Sequence, residues 1–191
     1  MPNYAIFLDR DGTINEDPGY LGDSNKVVLL PGAGEGLSLL KKRCNLKLIV
    51  ISNQSGIARG ILTDEMVKNI NNKINELLQK FNVQIDDFYY CPYHPEFSSE
   101  EECRCRKPST KLIKEAAKDH NIDLSKSYFI GDMVTDIECG KNAGLKTILV
   151  KTGNGKKSLD VLKMQNNLPS FVAQNLLDSF NFIQNDFLGV S

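Results

Sequence analysis

The sequence predicts an α/β fold of Rossmann-like, three-layer form, in which a central parallel sheet is covered by helices on both faces. Three observations carry this. Short runs rich in β-branched and aromatic residues recur along the chain, amphipathic helical patterns lie between them, and acidic residues gather where the apolar runs end. Strand and helix in alternation require crossover connections and hence parallel pairing. In such sheets a ligand sits in the crevice beyond the carboxyl ends of the strands.

Taken in order, the first strand is Tyr4 to Leu8, an apolar run ending at the acids Asp9 and Asp11 and the turn residue Gly12. A helix over Gly34 to Arg43 follows, its basic "KKRC" end complementing the negative pole of the helix dipole. "LKLIVI" predicts a strand at Leu46 to Ile51, followed by an amphipathic helix over Asp64 to Phe81 and an aromatic-rich strand at Asp86 to Cys91. A helix at Ser109 to His120 leads to a strand at Ser127 to Ile130. The next helix, Val134 to Asn142, precedes a strand at Lys146 to Val150, and a last amphipathic stretch covers Val172 to Ile183. The loops Gly12 to Pro31 and Pro92 to Pro108 exceed about 15 residues, a length at which loops in compact domains are usually functional. No repeat or interdomain linker interrupts the series, so one domain over residues 1 to 191 is expected.

At 191 residues, 41% hydrophobic and with a formal net charge of -1, the chain can bury one ordinary core and offers no charge excess for nucleic acid or a membrane surface. No apolar run approaches the roughly 18 residues of a membrane span, and the first strand begins too early to leave room for a signal peptide. A cytoplasmic protein is expected, acting as a monomer. The five cysteines are an odd count, which in that compartment argues for metal binding over disulfides. Cys44 and Cys139 fall in helical patterns and are expected in or near the core. His120, near a helix end, is expected to complement the helix dipole.

"YFIGDMVTDIECG", residues 128 to 140, repeats the design of the first strand, with Asp132 at its break and Asp136 four residues on. Acids at a helix N-terminus can serve as caps. Asp9, Asp11 and Asp132 at two strand ends point further, to a shared cation, because clustered carboxylates repel unless something neutralises them.

"FLDRDGTI", "VISNQSGIARG", "CRKP" and "FIGDMVTDI" occur in that order between residues 7 and 137. The ordered set resembles the haloacid dehalogenase superfamily of phosphotransferases. The resemblance implies Asp9 as nucleophile; an aspartate is ionised at neutral pH and can attack phosphorus once a cation offsets the repulsion. It implies Asp11 as general acid and then base; an aspartate there marks phosphatases, whereas the transport ATPases carry threonine. It also implies magnesium held by Asp9, the Asp11 backbone carbonyl and Asp132. Ser52 would bind the phosphoryl oxygens with Asn53, Gln54 and Ser55 beside it. Lys107 would neutralise the phosphoryl group as a point charge, and Arg106 would offer a planar fork to a second anionic group. Asp136 either holds the metal's outer shell or caps the helix.

"CPYHPEFSSEEECRC" places Cys91, His94, Cys103 and Cys105 within fifteen residues, a complete tetrahedral donor set for structural zinc. The loop, residues 91 to 105, resembles the zinc-binding insertion of the histidinol-phosphate and heptose-bisphosphate phosphatase branch. It departs in placing Tyr93 where many members carry the histidine, so His94 must approach from one residue later. No sequence remains for a cap domain, and the zinc loop is expected to wall the substrate site. "EDPGY", with Asp17, Gly19 and Tyr20, fits the heptose-bisphosphate enzymes better than the histidinol-phosphate ones. The implied substrate is a heptose 1,7-bisphosphate, on the route to activated heptose for surface polysaccharide, with Lys107 and magnesium at the reacting phosphate. Histidinol phosphate, or a non-catalytic zinc-stabilised binding module, are the alternatives.

Overall fold

The computed structural model describes residues 3 to 189. Six parallel strands, β1 (Ala5–Leu8), β2 (Lys47–Asn53), β3 (Asp87–Cys91), β4 (Tyr128–Gly131), β5 (Lys146–Val150) and β6 (Phe171–Ala173), form one sheet in the order β3-β2-β1-β4-β5-β6. The helices are α1 (Ala33–Cys44), α2 (Asp64–Leu78), a short α3 (Glu100–Cys103), α4 (Lys111–Asp119), α5 (Val134–Asn142), α6 (Gly155–Met164) and α7 (Leu176–Leu188). None of them is long and apolar enough to cross a membrane.

Both faces of the central strands are apolar, and the two-residue period divides them. Ile6, Leu8, Leu48, Val50, Tyr128 and Ile130 pack with Leu37 and Leu40 of α1, Ile70 and Ile74 of α2, and Phe180 and Ile183 of α7. Ala5, Phe7, Ile49, Ile51 and Phe129 point the other way, onto Leu112, Ile113 and Ala116 of α4 and Cys139 of α5. Leu149 meets Ile137 of α5 and Leu162 of α6. Cys44 and Cys139 are buried, as expected.

Several expected boundaries move. The stretch Val172 to Ile183 divides: its start lies in edge strand β6, and the helix begins only after Asn175, whose side chain accepts the Asp178 N–H as an N-cap. Helix α6 and strand β6 were absent from the sequence reading. The expected helix Asp64 to Phe81 tightens into a 3-10 turn over its last residues, Gln79–Phe81. His120 ends α4, but its ring pairs across the sheet edge with Asp87 Oδ2 at 3.0 Å.

The order of the sheet reverses between β1 and β4, leading outward to β2 on one side and β5 on the other. That is the switch point at which open α/β sheets bind ligands.

Candidate active site

Asp9 follows β1 directly, and its backbone N–H donates to Ile130 O of β4 at 2.9 Å, which fixes it against the neighbouring strand. Lys107 arrives from the long loop after β3. Asn53, the last residue of β2, holds its backbone from both sides, accepting the Lys107 N–H at 3.0 Å and donating to its carbonyl at 3.4 Å. The Lys107 ammonium lies 2.7 Å from Asp9 Oδ1, 2.8 Å from Ile51 O and 2.8 Å from Asp136 Oδ1. Those contacts match the number of hydrogens an ammonium carries. Burial would lower the Lys107 pKa, but Asp136 and Asp9 outweigh it and the group stays a cation.

Asp9, Asp132 and Asp136 are buried and bring carboxylate oxygens within 4.8 Å of one another. Burial pushes Asp9 well above the usual carboxylate range, Asp136 and Asp132 add to this, and Lys107 offsets only part. Burial likewise pushes Asp132 up to about 6, helped by Asp136 and opposed by a hydrogen bond from the Asn154 N–H at 2.7 Å. Two acids under pressure to protonate, with a third beside them in an all-oxygen cluster, fit a hard divalent cation, which would relieve that pressure. Asp136 caps the helix, its Oδ2 accepting the Met133 N–H at 2.9 Å, while its Oδ1 faces Lys107. Gly12, at φ 78°, passes so close to Asp132 that an added Cβ would lie 2.5 Å from its Oδ2.

The Asp11 side chain stands outside this acidic cluster. Its oxygens accept Arg10 Nη2 at 2.8 Å, Asn15 Nδ2 at 2.9 Å and Gln54 Nε2 at 2.9 Å. Burial acts to raise its pKa, but the Arg10 guanidinium and the two amides prevail and hold the carboxyl below its ordinary value. Arg10 was not foreseen as a site residue. It is 1% exposed, and its far end donates to Asn71 of α2 at 3.1 Å.

A cavity of about 280 Å³ opens on this chemistry. Asp9, Asp11, Asp17, Gly19, Tyr20, Asn53, Gln54, Ser55, Arg106, Lys107 and Asp132 line it, as the motifs predict, joined by Gly56, Met133, Thr135, Asp136 and Asn154. Ser52 lies just behind, 3% exposed, with its Oγ 3.4 Å from Gln54 Nε2. Arg106 is half-buried at the rim and donates to Tyr93 O at 3.3 Å.

The sulfur-rich loop differs from expectation. Cys91 and Cys105 are joined as a disulfide, and Cys103 is a free thiol. The His94 ring sits 3.1 Å from Arg59 Nη2 through Nε2, while its Nδ1 accepts the Glu96 N–H at 3.2 Å. The four side chains therefore do not form the closed tetrahedral set the sequence predicts. A disulfide here also departs from the expectation of metal binding over disulfides.

Comparison with known proteins agrees with this geometry. A HAD-hydrolase-like family model matches residues 104–179. A D-glycero-D-manno-heptose-1,7-bisphosphate 7-phosphatase of Chlorobaculum tepidum is 41% identical over 181 residues, 90% of this chain and 89% of the relative. The corresponding β-heptose enzyme of Pasteurella multocida is 40% identical, covering 88% of this chain and 96% of the relative. Among solved structures, the D,D-heptose 1,7-bisphosphate phosphatase of B. bronchiseptica, complexed with magnesium and phosphate, superposes with a TM-score of 0.84 at 28% identity, covering 96% of this chain and 99% of that one. Identities of 41% and 40% over 90% and 88% of the chain, with an acid-lined crevice at the β1/β4 switch point, show that this chain belongs to the HAD-like phosphatase family, among the heptose-bisphosphate phosphatases.

Proposed function

We propose that this chain hydrolyses the 7-phosphate of a D-glycero-D-manno-heptose 1,7-bisphosphate, releasing inorganic phosphate and leaving the 1-phosphate. The observation that carries the reading is the pairing of a buried aspartate at a strand end with a buried lysine, Asp9 Oδ1 to Lys107 Nζ at 2.7 Å, beside a cluster of further acids. Magnesium held by Asp9, Asp132 and the Asp11 carbonyl, with Asp136 adjoining, would supply positive charge to the phosphoryl oxygens.

Asp9 attacks phosphorus, forming an acyl phosphate as the bond to the sugar oxygen breaks, and Asp11 gives its proton to that oxygen. Water then attacks the phosphorus, Asp11 takes the water's proton, and Asp9 is restored as phosphate leaves. Lys107 holds Asp9 before the attack and the phosphoryl charge after it, with Ser52 and nearby amides on the remaining oxygens. Arg106, at the rim with Asp17, Gly19 and Tyr20, takes the rest of the sugar and its second phosphate. The site works without a cap domain, walled by the loop of residues 91 to 105. A sugar bisphosphate, carrying about three to four negative charges at neutral pH, does not cross a bilayer unaided, which favours a cytoplasmic enzyme. It acts as a monomer formed by one domain.

The reading extends to zinc in the same loop, bound by Cys91, His94, Cys103 and Cys105 when the thiols are reduced. What supports it is that Cys103 is a free thiol in the loop that also carries His94, Cys91 and Cys105.

The test is a phosphate-release screen across sugar bisphosphates, sugar monophosphates and histidinol phosphate. Heptose 1,7-bisphosphate should rank first in kcat/KM. A preference of about a hundredfold for histidinol phosphate would overturn the assignment.

A further inference from the structure

Asp11 cannot deliver a proton from where it lies. A carboxylate presents about four in-plane acceptor positions, and those of Asp11 are already taken. Oδ1 accepts Arg10 Nε at 3.2 Å and Asn15 Nδ2 at 2.9 Å, while Oδ2 accepts Arg10 Nη2 at 2.8 Å, Arg10 Nε at 3.2 Å and Gln54 Nε2 at 2.9 Å. No position is left for a hydroxyl hydrogen aimed at a leaving oxygen. The guanidinium that dominates this arrangement cannot follow Asp11 outward, because it is 1% exposed and anchored on Asn71 of α2.

We infer that Arg10, braced by Asn71, parks Asp11 as a carboxylate in a resting position, and that Asp11 must turn out of this fork into the cavity and take a proton from solvent there before it can give one to the leaving oxygen. The inference rests on phosphoryl transfer at Asp9 as proposed above, and not on the identity of the sugar. Gln54 supplies the coupling. Its Nε2 touches Asp11 Oδ2 and also lies 3.4 Å from Ser52 Oγ. A phosphoryl group engaging Ser52 draws that amide toward its own oxygens, removes one donor from Asp11, and leaves the carboxylate held by fewer partners. Rotation of the Asp11 side chain leaves its backbone carbonyl in place. Arg10 is thus a positioning residue, acting through Asp11. The resting state keeps a fourth carboxylate off the acidic cluster until the ester whose leaving oxygen it is to protonate has arrived.

The deciding experiment compares crystal structures of the magnesium-loaded enzyme with and without orthovanadate. Without it, Asp11 should remain bidentate on Arg10; with it, Asp11 should have left the fork while Arg10 stays on Asn71. Asp11 still gripped by Arg10 over bound vanadate overturns the inference. Kinetically, Arg10→Lys keeps the charge but offers a point donor in place of the fork. Single-turnover alcohol release from the best sugar phosphate of the screen should rise about three- to tenfold, because the parked population shrinks. Release from p-nitrophenyl phosphate, whose leaving group departs as a stabilised anion without a proton, should change less than about twofold. A sugar phosphate rate equal to or below wild type, or equal changes with both esters, would show that Arg10 does not restrain Asp11. Should the variant fail to fold, the vanadate structure decides alone. Wild-type enzyme that releases neither ester sinks the phosphatase reading itself, and this inference with it.

Discussion

Replacing Lys107 by Met removes one positive charge while keeping most of the side chain's length against the Phe129 ring, 5.7 Å from the ammonium. The Lys107 and Asp9 side chains are 3% and 11% exposed, so solvent screens their pairing little. Taking one partner from a buried ion pair costs about 3–5 kcal/mol, because the other is left uncompensated. Here the group left behind is the cluster Asp9, Asp132 and Asp136. For a chain of this size each kcal/mol lowers Tm by about 2–4 °C, so metal-free Lys107→Met should melt about 6–20 °C below wild type. Magnesium should recover part of this, since a ligand at about a hundred times its Kd adds about 2.7 kcal/mol, and the recovery should be larger in the variant. Scanning calorimetry of both proteins in chelator and in magnesium measures all four midpoints. A loss below about 2 °C in chelator, or identical magnesium shifts, would refute the argument that one lysine holds three buried carboxylates together.

Asp9→Asn should abolish phosphate release, since the amide is neither nucleophile nor anionic ligand, and residual activity above about a tenth would exclude covalent catalysis there. Asp11→Asn should slow turnover about 10²–10⁴-fold and leave a phosphoenzyme trappable by acid quench. The raised pKa of Asp132, about 6, carries a pH signature. In metal-free protein its contribution to stability is fully present below the unfolded value near 3.9 and is lost as pH rises through about 6. The Tm gap between magnesium and chelator should therefore widen from about pH 4 to 6 and then level; a constant gap would contradict it. Protein purified under reducing conditions should carry about one zinc, and Cys103→Ser should raise KM or lower soluble yield more than it alters magnesium dependence. Zinc near zero in fully active enzyme would dismiss the zinc site.

Much of the fold was legible because buried parallel strands must be apolar on both faces. The expected strand Lys146 to Val150 and helix Val134 to Asn142 coincide with β5 and α5. Helix α6 was not legible: it opens at Gly155 and buries only Gly155, Ser158 and Leu162, of which Leu162 alone has an apolar side chain. At the site, the acids and Lys107 announced themselves through motifs. Arg10 and Asn71 did not, because a charged residue inside a motif and an amide within a polar helix look like solvated surface until the fold buries them together. The amide of Asn154, which holds Asp132, is a backbone group and carries no side-chain signal. The spacing of Asp132 and Asp136 left the second acid open between helix cap and outer shell of a metal, and its place on the crevice wall emerges only in the fold.

The hydrogen bond that seats Asp9 on β4 bears on how the enzyme comes into being. Thr13 reaches Asp132 across 119 positions of sequence, and the Lys107 ammonium meets Asp9 across 98. Asp9 is therefore synthesised well before its partners emerge from the ribosome. Parallel strands gain nothing until the intervening crossovers have formed, so β1 must wait for β4. A chain stalled before β4 carries the reactive aspartate without its cation cluster. Hydrolytic competence is therefore a property of the finished sheet, withheld from every shorter nascent chain.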